Sequence, residues 1–420
     1  MDAGICVYVD LEGAPVLAGR LWSRVRADRE TATFEYDRSW LAHPSRFSLE
    51  PALKLGPGPY HTGADRPMFG AIGDSAPDRW GRALMRRAER RRARHAKETP
   101  RTLRESDYLL RVDDETRQGA LRFAEGEGGI FLASAGNANI PPLVELPRLL
   151  TAAEKVLDDD ESDEDLRLLL APGSSLGGAR PKASVRDRDG TLAIAKFPYR
   201  GDDINTVAWE AVALLLAREA GIQVPAFRVE TVADRPVLLV ERFDREGTQR
   251  VPFLSAMSMV GAKDNEGHSY LEIADALIQH GAEPNHDLEE LWRRIVFSVL
   301  ISNTDDHLRN HGFLYRGPEG WRLSPAYDLN PVPVDIKPRV LTTAIDLDDP
   351  NASLATAFEV AGYFRLSPAQ AREIAGVVGR AVAKWRTQAA RFGLSKSECD
   401  RMESAFEHED LKTARSVRTR

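Results

Sequence analysis

The N-terminal part of the chain alternates apolar residues with other residues in short runs. Every second position between Ile5 and Leu11 is apolar, and residues 33–36 form another short strand-like run. A period of two residues predicts β-strands. The proline- and glycine-rich segment 56–59 closes this part, so the residues before it are predicted to be rich in β-structure.

A helix is predicted to start near Ser75, because serine caps free backbone N–H groups, Pro77 fits a first turn and Asp78 completes a Ser-x-x-Asp pattern. The helix runs into a basic stretch, Arg86–Lys97, whereas Asp158–Asp165 is strongly acidic. We expect the acidic run to be a linker, since such a segment buries too little apolar surface to order itself. Both charged runs are typical of solvated surface, with a contact surface for a partner as the alternative.

After residue 165 the pattern predicts a small sheet followed by helices. Residues 183–186 and 192–197 read as a β-hairpin, and a helix is predicted from about Asn205 to Ala220, ended by Gly221. Two further strands and a buried helix follow, at 227–232, at 237–240 and around the helically spaced apolar residues from Leu288 to Leu300.

Composition adds limits rather than a function. The 420 residues suggest two or three domains, and a net charge of −7 does not suggest a general nucleic-acid binder. Cys6 and Cys399 lie far apart, which argues against a disulfide framework and suits a reducing compartment. The N-terminus does not resemble a signal peptide and the apolar runs are too short to span a membrane. We therefore expect a cytoplasmic protein without membrane contact.

The sharpest chemical motif follows the predicted buried helix. Asp305 stands five residues before Asn310, and Asp328 comes eighteen residues after Asn310, beyond a predicted hairpin. Phosphoryl transfer needs such a set, because one carboxylate accepts a hydroxyl proton while an amide oxygen and a second carboxylate hold magnesium. The Asp-x4-Asn spacing matches protein kinases and favours Asp305 over its neighbour Asp306. The alternative is an Asx-rich turn that caps helices and strands.

Three further features point to a nucleotide. Lys196 lies in an otherwise apolar strand, and the next helix offers Glu210 as a partner, although a snorkelling surface lysine is the alternative. Residues 240–244 follow an apolar strand, where a linker between two lobes would expose backbone groups to an adenine ring. The alternative is a plain loop with a salt bridge. The glycine-rich stretch 172–182 can present N–H groups to phosphates, but it lacks the ending of a Walker A loop and alone is weak.

Five segments in this order resemble the HipA-like serine/threonine kinases of bacterial toxin–antitoxin systems: 175–182, 194–198, 240–245, 303–310 and 327–328. The resemblance implies an α+β, bilobed protein-kinase-like fold with a β-rich N-terminal lobe and a mostly helical C-terminal lobe. It also implies four segments: a small N-terminal domain at 1–100, a connecting segment with the acidic linker at 101–165, the rest of the N-terminal lobe at 166–244 and the helical lobe at 245–420.

The resemblance implies a role for each matching residue. Asp305 corresponds to the catalytic base, and Asn310 and Asp328 to the magnesium ligands. The residues that correspond to the ATP contacts are Lys196 with Glu210, Gly177 and Gly178 of the glycine-rich loop, Glu241 and Phe243 beside adenine, and Asp244 and His307 near the ribose. Ser175, or the adjacent Ser174, corresponds to a serine whose autophosphorylation shuts activity off, and Arg180 and Lys182 are candidates to attract its phosphate.

The implied cofactors are ATP and Mg²⁺. The implied partners are a protein substrate, such as a component of translation, and a HipB-like helix-turn-helix antitoxin, through which DNA is contacted only indirectly. Two alternatives stay open: a small-molecule phosphotransferase on a similar fold, and a weakly catalytic corepressor module of a DNA-binding partner.

Overall fold

The computed structural model of the chain describes residues 4–134, 140–170, 178, 180–199, 201–264, 266–347 and 349–417. The chain forms two compact units. Unit 1 consists of Met1–Tyr199 and Thr231–Leu254, and unit 2 consists of Arg200–Glu230 and Ser255–Arg420. These units do not coincide with the four predicted segments, because 200–230 groups with the C-terminal part; the four-part division stays a prediction.

The first sheet of unit 1 is antiparallel and has the strand order β4-β3-β2-β1-β5. Its strands are β1 Ile5–Leu11, β2 Ala14–Arg26, β3 Arg29–Tyr36, β4 Pro59–His61 and β5 Leu121–Ala124. β1 lies between two neighbours and is covered on both faces: Val7 and Val9 are fully buried, and Cys6 and Tyr8 pack with Ala124 on the other side. The two-residue period therefore predicts β1 correctly.

The described residues of unit 1 contain six α-helices: α1 Arg38–Ala42, α2 Gly70–Gly73, α3 Arg79–Ala96, α4 Glu105–Leu110, α5 Leu146–Leu157 and α6 Asp163–Leu170. The first four lie in the chain between strands of the first sheet, and α5 and α6 lead to the second sheet. The N-cap of α3 is Asp78, not Ser75 as predicted. Asp78 Oδ1 accepts a hydrogen bond of 2.8 Å from the Gly81 N–H, whereas the Ser75 hydroxyl donates to the Ile72 carbonyl. A carboxylate next to the first turn also complements the helix dipole.

The second sheet of unit 1 contains the antiparallel strands β6 Lys182–Arg186, β7 Leu192–Lys196 and β9 Arg235–Glu241. Three further strands are β8 Phe227–Val232, which crosses from unit 2 into unit 1, and the short hairpin of β10 Arg245–Glu246 and β11 Gln249–Arg250. Alternate residues of β6, β7 and β9 pack with α3, α5 and α6 in one apolar core.

The acidic run is ordered against the basic helix α3, so the prediction of a linker is wrong. Arg87 Nη1 lies 3.1 Å from Glu161 Oε2, and Arg91 Nη1 lies 3.5 Å from Asp163 Oδ1. These arginines compensate the carboxylates, and the apolar side of α6 is buried in the core. Composition alone misses this, because Glu161 lies 74 residues from Arg87 in the sequence.

Unit 2 is mostly helical. Its helices are α7 Thr206–Glu219, α8 Ala256–Met259, α9 Tyr270–His280, α10 Pro284–Leu300, α11 Leu354–Val360, α12 Pro368–Val382, α13 Trp385–Arg391, α14 Lys396–Arg401, α15 Glu403–Phe406 and α16 Glu409–Ser416. The remaining strands are β12 Phe253–Ser255, at the boundary of the units, β13 His268–Ser269, the antiparallel pair β14 Gly312–Tyr315 and β15 Trp321–Leu323, and β16 Thr343–Ala344.

The centre of unit 2 is α10, whose apolar residues from Leu288 to Leu300 are almost completely buried. The Trp292 indole donates a 2.9 Å hydrogen bond to the Ala357 carbonyl, which satisfies its polar N–H in the core. None of the described helices is both long and apolar enough to cross a lipid bilayer. A sheet-rich N-terminal part followed by a helical C-terminal part agrees with the predicted α+β fold.

Candidate active site

The loop that carries Asp305 begins where α10 ends. Ser302 has a φ of +52°, so the chain leaves the helix through a left-handed residue, and the Asn303 N–H donates 2.9 Å to the Ser298 carbonyl. A 3-10 helix, Leu308–Asn310, then leads into β14. In this loop the side chain of Asp305 is 71% exposed, whereas Asp306 is buried.

Asp306 is held by three side chains from different elements of unit 2. Its Oδ2 accepts hydrogen bonds from Tyr270 Oη at 2.6 Å and Ser298 Oγ at 3.2 Å, and its Oδ1 lies 3.1 Å from His311 Nε2. Burial opposes ionisation, but His311 and the Tyr270 hydrogen bond outweigh it and lower the pKa of Asp306. Asp306 thus anchors the loop, and the exposed Asp305 is the carboxylate that a substrate can reach.

Asn310 offers a buried oxygen to this site. The residue is 5% exposed, its Nδ2 lies 3.4 Å from the Asp305 carbonyl oxygen, and its backbone N–H donates to the His307 carbonyl at 2.8 Å. Among the described residues nothing donates a hydrogen bond to Asn310 Oδ1. A buried amide oxygen in that state has the chemistry of a magnesium ligand, because Mg²⁺ prefers oxygen donors.

Asp328 follows the β14–β15 hairpin and has a φ of +59°. A left-handed backbone is unfavourable for a non-glycine residue and persists where its surroundings impose it. Asn330 Nδ2 lies 3.3 Å from Asp328 Oδ1, and the Tyr327 hydroxyl donates a 2.7 Å hydrogen bond to the Arg309 carbonyl. This bond joins the segment of Asp328 to the residue before Asn310, so both predicted metal ligands belong to connected segments of unit 2.

Lys337 is a charged residue of this site that sequence reasoning missed. Its ammonium donates to the Thr304 carbonyl at 3.1 Å and lies 3.6 Å from Asp305 Oδ1. The same carbonyl accepts 2.9 Å from Thr342 Oγ1 and 3.1 Å from the Thr342 N–H. Lys337 comes nine residues after Asp328 in a proline-rich segment, where no periodic pattern signals its position.

His307 and Glu210 also lie in unit 2. His307 precedes the 3-10 helix, and its buried Nδ1 finds no hydrogen-bond partner within the described part of the chain. Glu210 is buried on α7. Its predicted partner Lys196 lies in unit 1, at the half-buried end of β7. The pairing of Lys196 with Glu210 therefore stays a prediction.

Lys182 forms a buried ion pair with Asp78. It stands opposite Lys196 in the β6–β7 register, and its ammonium lies 2.9 Å from Asp78 Oδ2, with both side chains 4% exposed. The Trp80 indole donates 3.0 Å to the Lys182 carbonyl, which also fixes the start of β6. A phosphoserine would have to displace Asp78 to reach Lys182, so of the two predicted cations only the exposed Arg180 stays a candidate.

Asp244 was predicted to lie near a ribose, but its carboxylate is 1% exposed and already occupied. Arg242 and Arg245 pair with it, and Oδ2 accepts 2.8 Å from the Gly119 N–H. Burial opposes ionisation of Asp244, but the two guanidinium groups outweigh it and hold its pKa well below the usual value. The arrangement gives Asp244 a structural role in unit 1, and its place near a ribose stays a prediction.

The other predicted contacts of unit 1 lie at strand ends and in the glycine-rich loop. Glu241 is exposed at the end of β9, and the ring of Phe243 lies 6.3 Å from that of Phe253. Gly178 has a φ of +91°, and its carbonyl oxygen lies 3.4 Å from the backbone nitrogen of Trp80. The predictions for Ser174, Ser175 and Gly177 lie outside the described residues.

No group of three or more His, Cys, Asp or Glu side chains that could hold a metal occurs among the described residues. A kinase-type magnesium site does not require one, because Mg²⁺ is usually held by one or two protein groups together with phosphates and water. Asn310 and Asp328 fit this smaller donor set.

Relatives of the chain include proteins named as candidate kinases. One from Haemophilus influenzae is 27% identical over 218 residues, which cover 44% of this chain and 62% of that protein. Another from Sinorhizobium fredii is 27% identical over 181 residues, which cover 37% of this chain and 41% of that protein. The chain therefore spans less than two thirds of the length of these relatives.

A solved structure, and two family models taken together, cover more of the chain. HipA from the Shewanella oneidensis MR-1 toxin–antitoxin complex with HipB and operator DNA aligns with a TM-score of 0.66 and 18% identity, over 99% of this chain and 100% of that one. This likeness confirms the predicted fold. The HipA-like C-terminal domain matches residues 174–385, just over half of the chain, and the HipA N-terminal domain matches residues 11–104. The chain therefore belongs to the HipA family.

Proposed function

We propose that this chain is an ATP-dependent serine/threonine protein kinase of the HipA toxin type. The observation that carries the proposal is the buried, unpartnered Oδ1 of Asn310, on the same loop as the exposed carboxylate of Asp305. An unsatisfied buried oxygen is unfavourable in an unliganded protein, and a cation compensates it. The kinase names of the relatives support the same reading.

Asp305 accepts the proton of the attacking hydroxyl in this proposal. Its exposure lets a protein substrate approach, and a carboxylate within hydrogen-bond reach of a hydroxyl can act as its general base. The Lys337 ammonium, 3.6 Å from Asp305 Oδ1, is proposed to stabilise negative charge on the transferred phosphoryl group, as a positioned positive charge does in such a transition state.

Asn310 and Asp328 hold magnesium in this proposal, and the bound ion neutralises phosphate charge. The resemblance assigns Lys196 to the phosphates with Glu210 as its partner, the backbone at Glu241 and Phe243 to adenine, Gly177 and Gly178 to the phosphate loop, and His307 to the ribose. These assignments rest on the family resemblance and on the residue chemistry.

Regulation and partners form the second part of the proposal. The chain phosphorylates its own Ser175 or Ser174, and the added charge is repelled by the nucleotide phosphates, which favours an inactive loop. A HipB-like helix-turn-helix antitoxin is the proposed partner, and DNA is contacted through it. The proposed substrate is a protein, such as a component of translation, and the proposed compartment is the cytoplasm.

Labelled-ATP transfer in a cell lysate tests the activity. We expect wild-type protein to label one or a few proteins, and Asp305→Asn to abolish the labelling. Asp335→Asn is the matched control, since Asp335 is an exposed aspartate of the same unit that pairs with Arg401. Label in small molecules alone would indicate a small-molecule phosphotransferase. No Asp305-dependent transfer to any acceptor would contradict a kinase and favour a corepressor module.

Mass spectrometry of purified protein after incubation with ATP tests the regulation. We expect one phosphate within residues 172–182 and a slow, self-limited loss of activity in the wild type, and no phosphate in this stretch of Asp305→Asn. Phosphate at Ser174 alone would move the assignment by one residue. An active enzyme without phosphate in this stretch would refute the mechanism.

A further inference from the structure

Asn303 connects the loop of Asp305 to the segment of Asp328. Its side chain is 1% exposed, and both ends of the amide are used. Nδ2 lies 3.4 Å from Ser298 Oγ, and Oδ1 accepts a 3.2 Å hydrogen bond from the backbone N–H of Asn330. Asn303 is therefore a buried cross-link between α10 and the chain that follows the β14–β15 hairpin.

The cross-link extends in both directions. On one side, Ser298 Oγ donates to Asp306 Oδ2 at 3.2 Å, next in sequence to Asp305. On the other side, the Asn330 side-chain amide lies 3.3 Å from Asp328 Oδ1. One continuous series of polar contacts thus runs from Asp306 through Ser298, Asn303 and Asn330 to Asp328.

We propose that Asn303 is a positioning residue that, through Asn330, holds Asp328 in the orientation needed to bind the metal of a metal–nucleotide complex. This inference rests on the proposed function. Asp328 has a left-handed φ of +59°, and such a backbone needs external contacts to persist. The Asn303–Asn330 bond fixes the backbone two residues later, and the Asn330 amide orients one carboxylate oxygen. Groups that orient a metal ligand in this way typically change metal affinity about 10- to 100-fold when they are removed.

Metal binding can be measured without turnover. Mn²⁺ takes similar oxygen ligands to Mg²⁺, and its free concentration is followed by electron paramagnetic resonance during titration of protein saturated with β,γ-methylene-ATP. We expect Asn303→Ala and Asn330→Ala each to weaken the apparent Mn²⁺ affinity about tenfold. The double variant should bind little more weakly than the weaker single variant, because both substitutions interrupt the same series.

The control variant is Gln388→Ala. Gln388 is a similarly buried amide of unit 2 that donates to Glu219, so its loss should lower the melting temperature without changing Mn²⁺ affinity. Asn330 is only half-buried, and its variant keeps the test valid if Asn303→Ala fails to fold. Equal affinity in wild type and the folded variants, or full additivity in the double variant, would overturn this inference alone. Absence of metal–nucleotide binding by wild type would overturn the proposed function and this inference with it.

Discussion

Each unit buries a polar cluster, and the two clusters differ in how completely their atoms are paired. In unit 1 the Asp244 carboxylate is shared by two arginines and a backbone N–H, and Arg242 also donates to the carbonyl of Thr116. In unit 2 the buried Oδ1 of Asn310 accepts no hydrogen bond from any described residue. Paired charges hold chain segments together, whereas an unpaired buried oxygen is available to a ligand.

Two desolvated arginines of unit 1 depend on such pairing, although Arg117 Nε has no hydrogen-bond partner among the described residues. Burial lowers the pKa of Arg245 to about 9, and the charge of Asp244 only partly restores it. Burial likewise lowers the pKa of Arg117 to about 9, and its guanidinium donates to the carbonyls of Ser75, Leu109 and Val112. These groups depend on their partners, so the cluster is a cross-link of unit 1 and not a binding site.

The largest expected effect is the loss of phosphoryl transfer when the unpaired Oδ1 of Asn310 is removed. Asn310→Ala should lower phosphoryl transfer by about two to three orders of magnitude, as expected for loss of one preorganised group. The unfolding free energy should fall by no more than about 1 kcal/mol, since only one weak side-chain hydrogen bond is lost. Initial rates of transfer and urea unfolding measure the two quantities. A large loss of stability with a normal rate would assign Asn310 to the scaffold.

The paired cluster should respond in the opposite way. Asp244→Ala leaves Arg242 and Arg245 buried without their carboxylate, so the stability of unit 1 should fall by about 3–5 kcal/mol. Because the chain has two compact units, hydrogen exchange of peptides from unit 1 is a better measure than one global transition. Asp187→Ala, a half-buried position at the turn between β6 and β7 of the same unit, is the control. Normal protection in Asp244→Ala with lost ATP binding would support the ribose contact predicted from the sequence.

Sequence patterns predict the local features of both units well. The strand at 227–232 coincides with β8, and the helix predicted from Asn205 to Ala220 matches α7, whose N-cap is Asn205. Both are set by periodicity and capping within a few residues. The Asp-x4-Asn spacing likewise selects Asp305 and Asn310, which the structure places on one loop of unit 2.

Partners distant in the sequence are what the patterns miss. Gly119 binds Asp244 across 125 residues, and Tyr270 binds Asp306 across 36. No periodicity encodes such pairs, so Asp244 looks like a surface loop residue, and only the spacing to Asn310 distinguishes Asp305 from Asp306. The same limit explains the acidic run, whose compensating arginines lie on α3.

The buried carboxylate of Glu50 provides a smaller test within unit 1. Burial raises the pKa of Glu50 to about 7 from 4.5, although the Ala71 N–H donates to it and the charge of Arg66 opposes the shift. The folded state therefore binds this proton more tightly than the unfolded state. Its contribution to stability is complete below pH 4.5 and is lost as the pH rises through about 7.

The shift corresponds to about 3 kcal/mol over that window. Glu50→Gln should flatten this part of the stability profile of unit 1, measured by hydrogen exchange at matched intrinsic rates. Glu35→Gln, an exposed position on β3, is the control and should keep the wild-type slope. An unchanged slope in Glu50→Gln would show that the pKa of Glu50 is the same in the folded and unfolded states.

The smallest loss of stability is expected for the ion pairs between α3 and the acidic run, which are more exposed than the buried cluster of Asp244. Arg91→Gln removes contacts of 3.6 Å to Glu161 and 3.5 Å to Asp163, and the Arg91 side chain is 28% exposed. Solvent screens such pairs, so the loss should be about 0.5–1 kcal/mol at low salt and should shrink as sodium chloride is added. Arg148→Gln, with a more exposed guanidinium beside Glu164, should lose less. Hydrogen exchange of α6 peptides at low and high salt measures both. A loss in Arg91→Gln that is as large as in Asp244→Ala and independent of salt would contradict this distinction. It would mean that the partly exposed ion pairs stabilise unit 1 as much as the buried ones do. The stability of α6 would then depend on these charges rather than on the burial of Leu166 and Leu169.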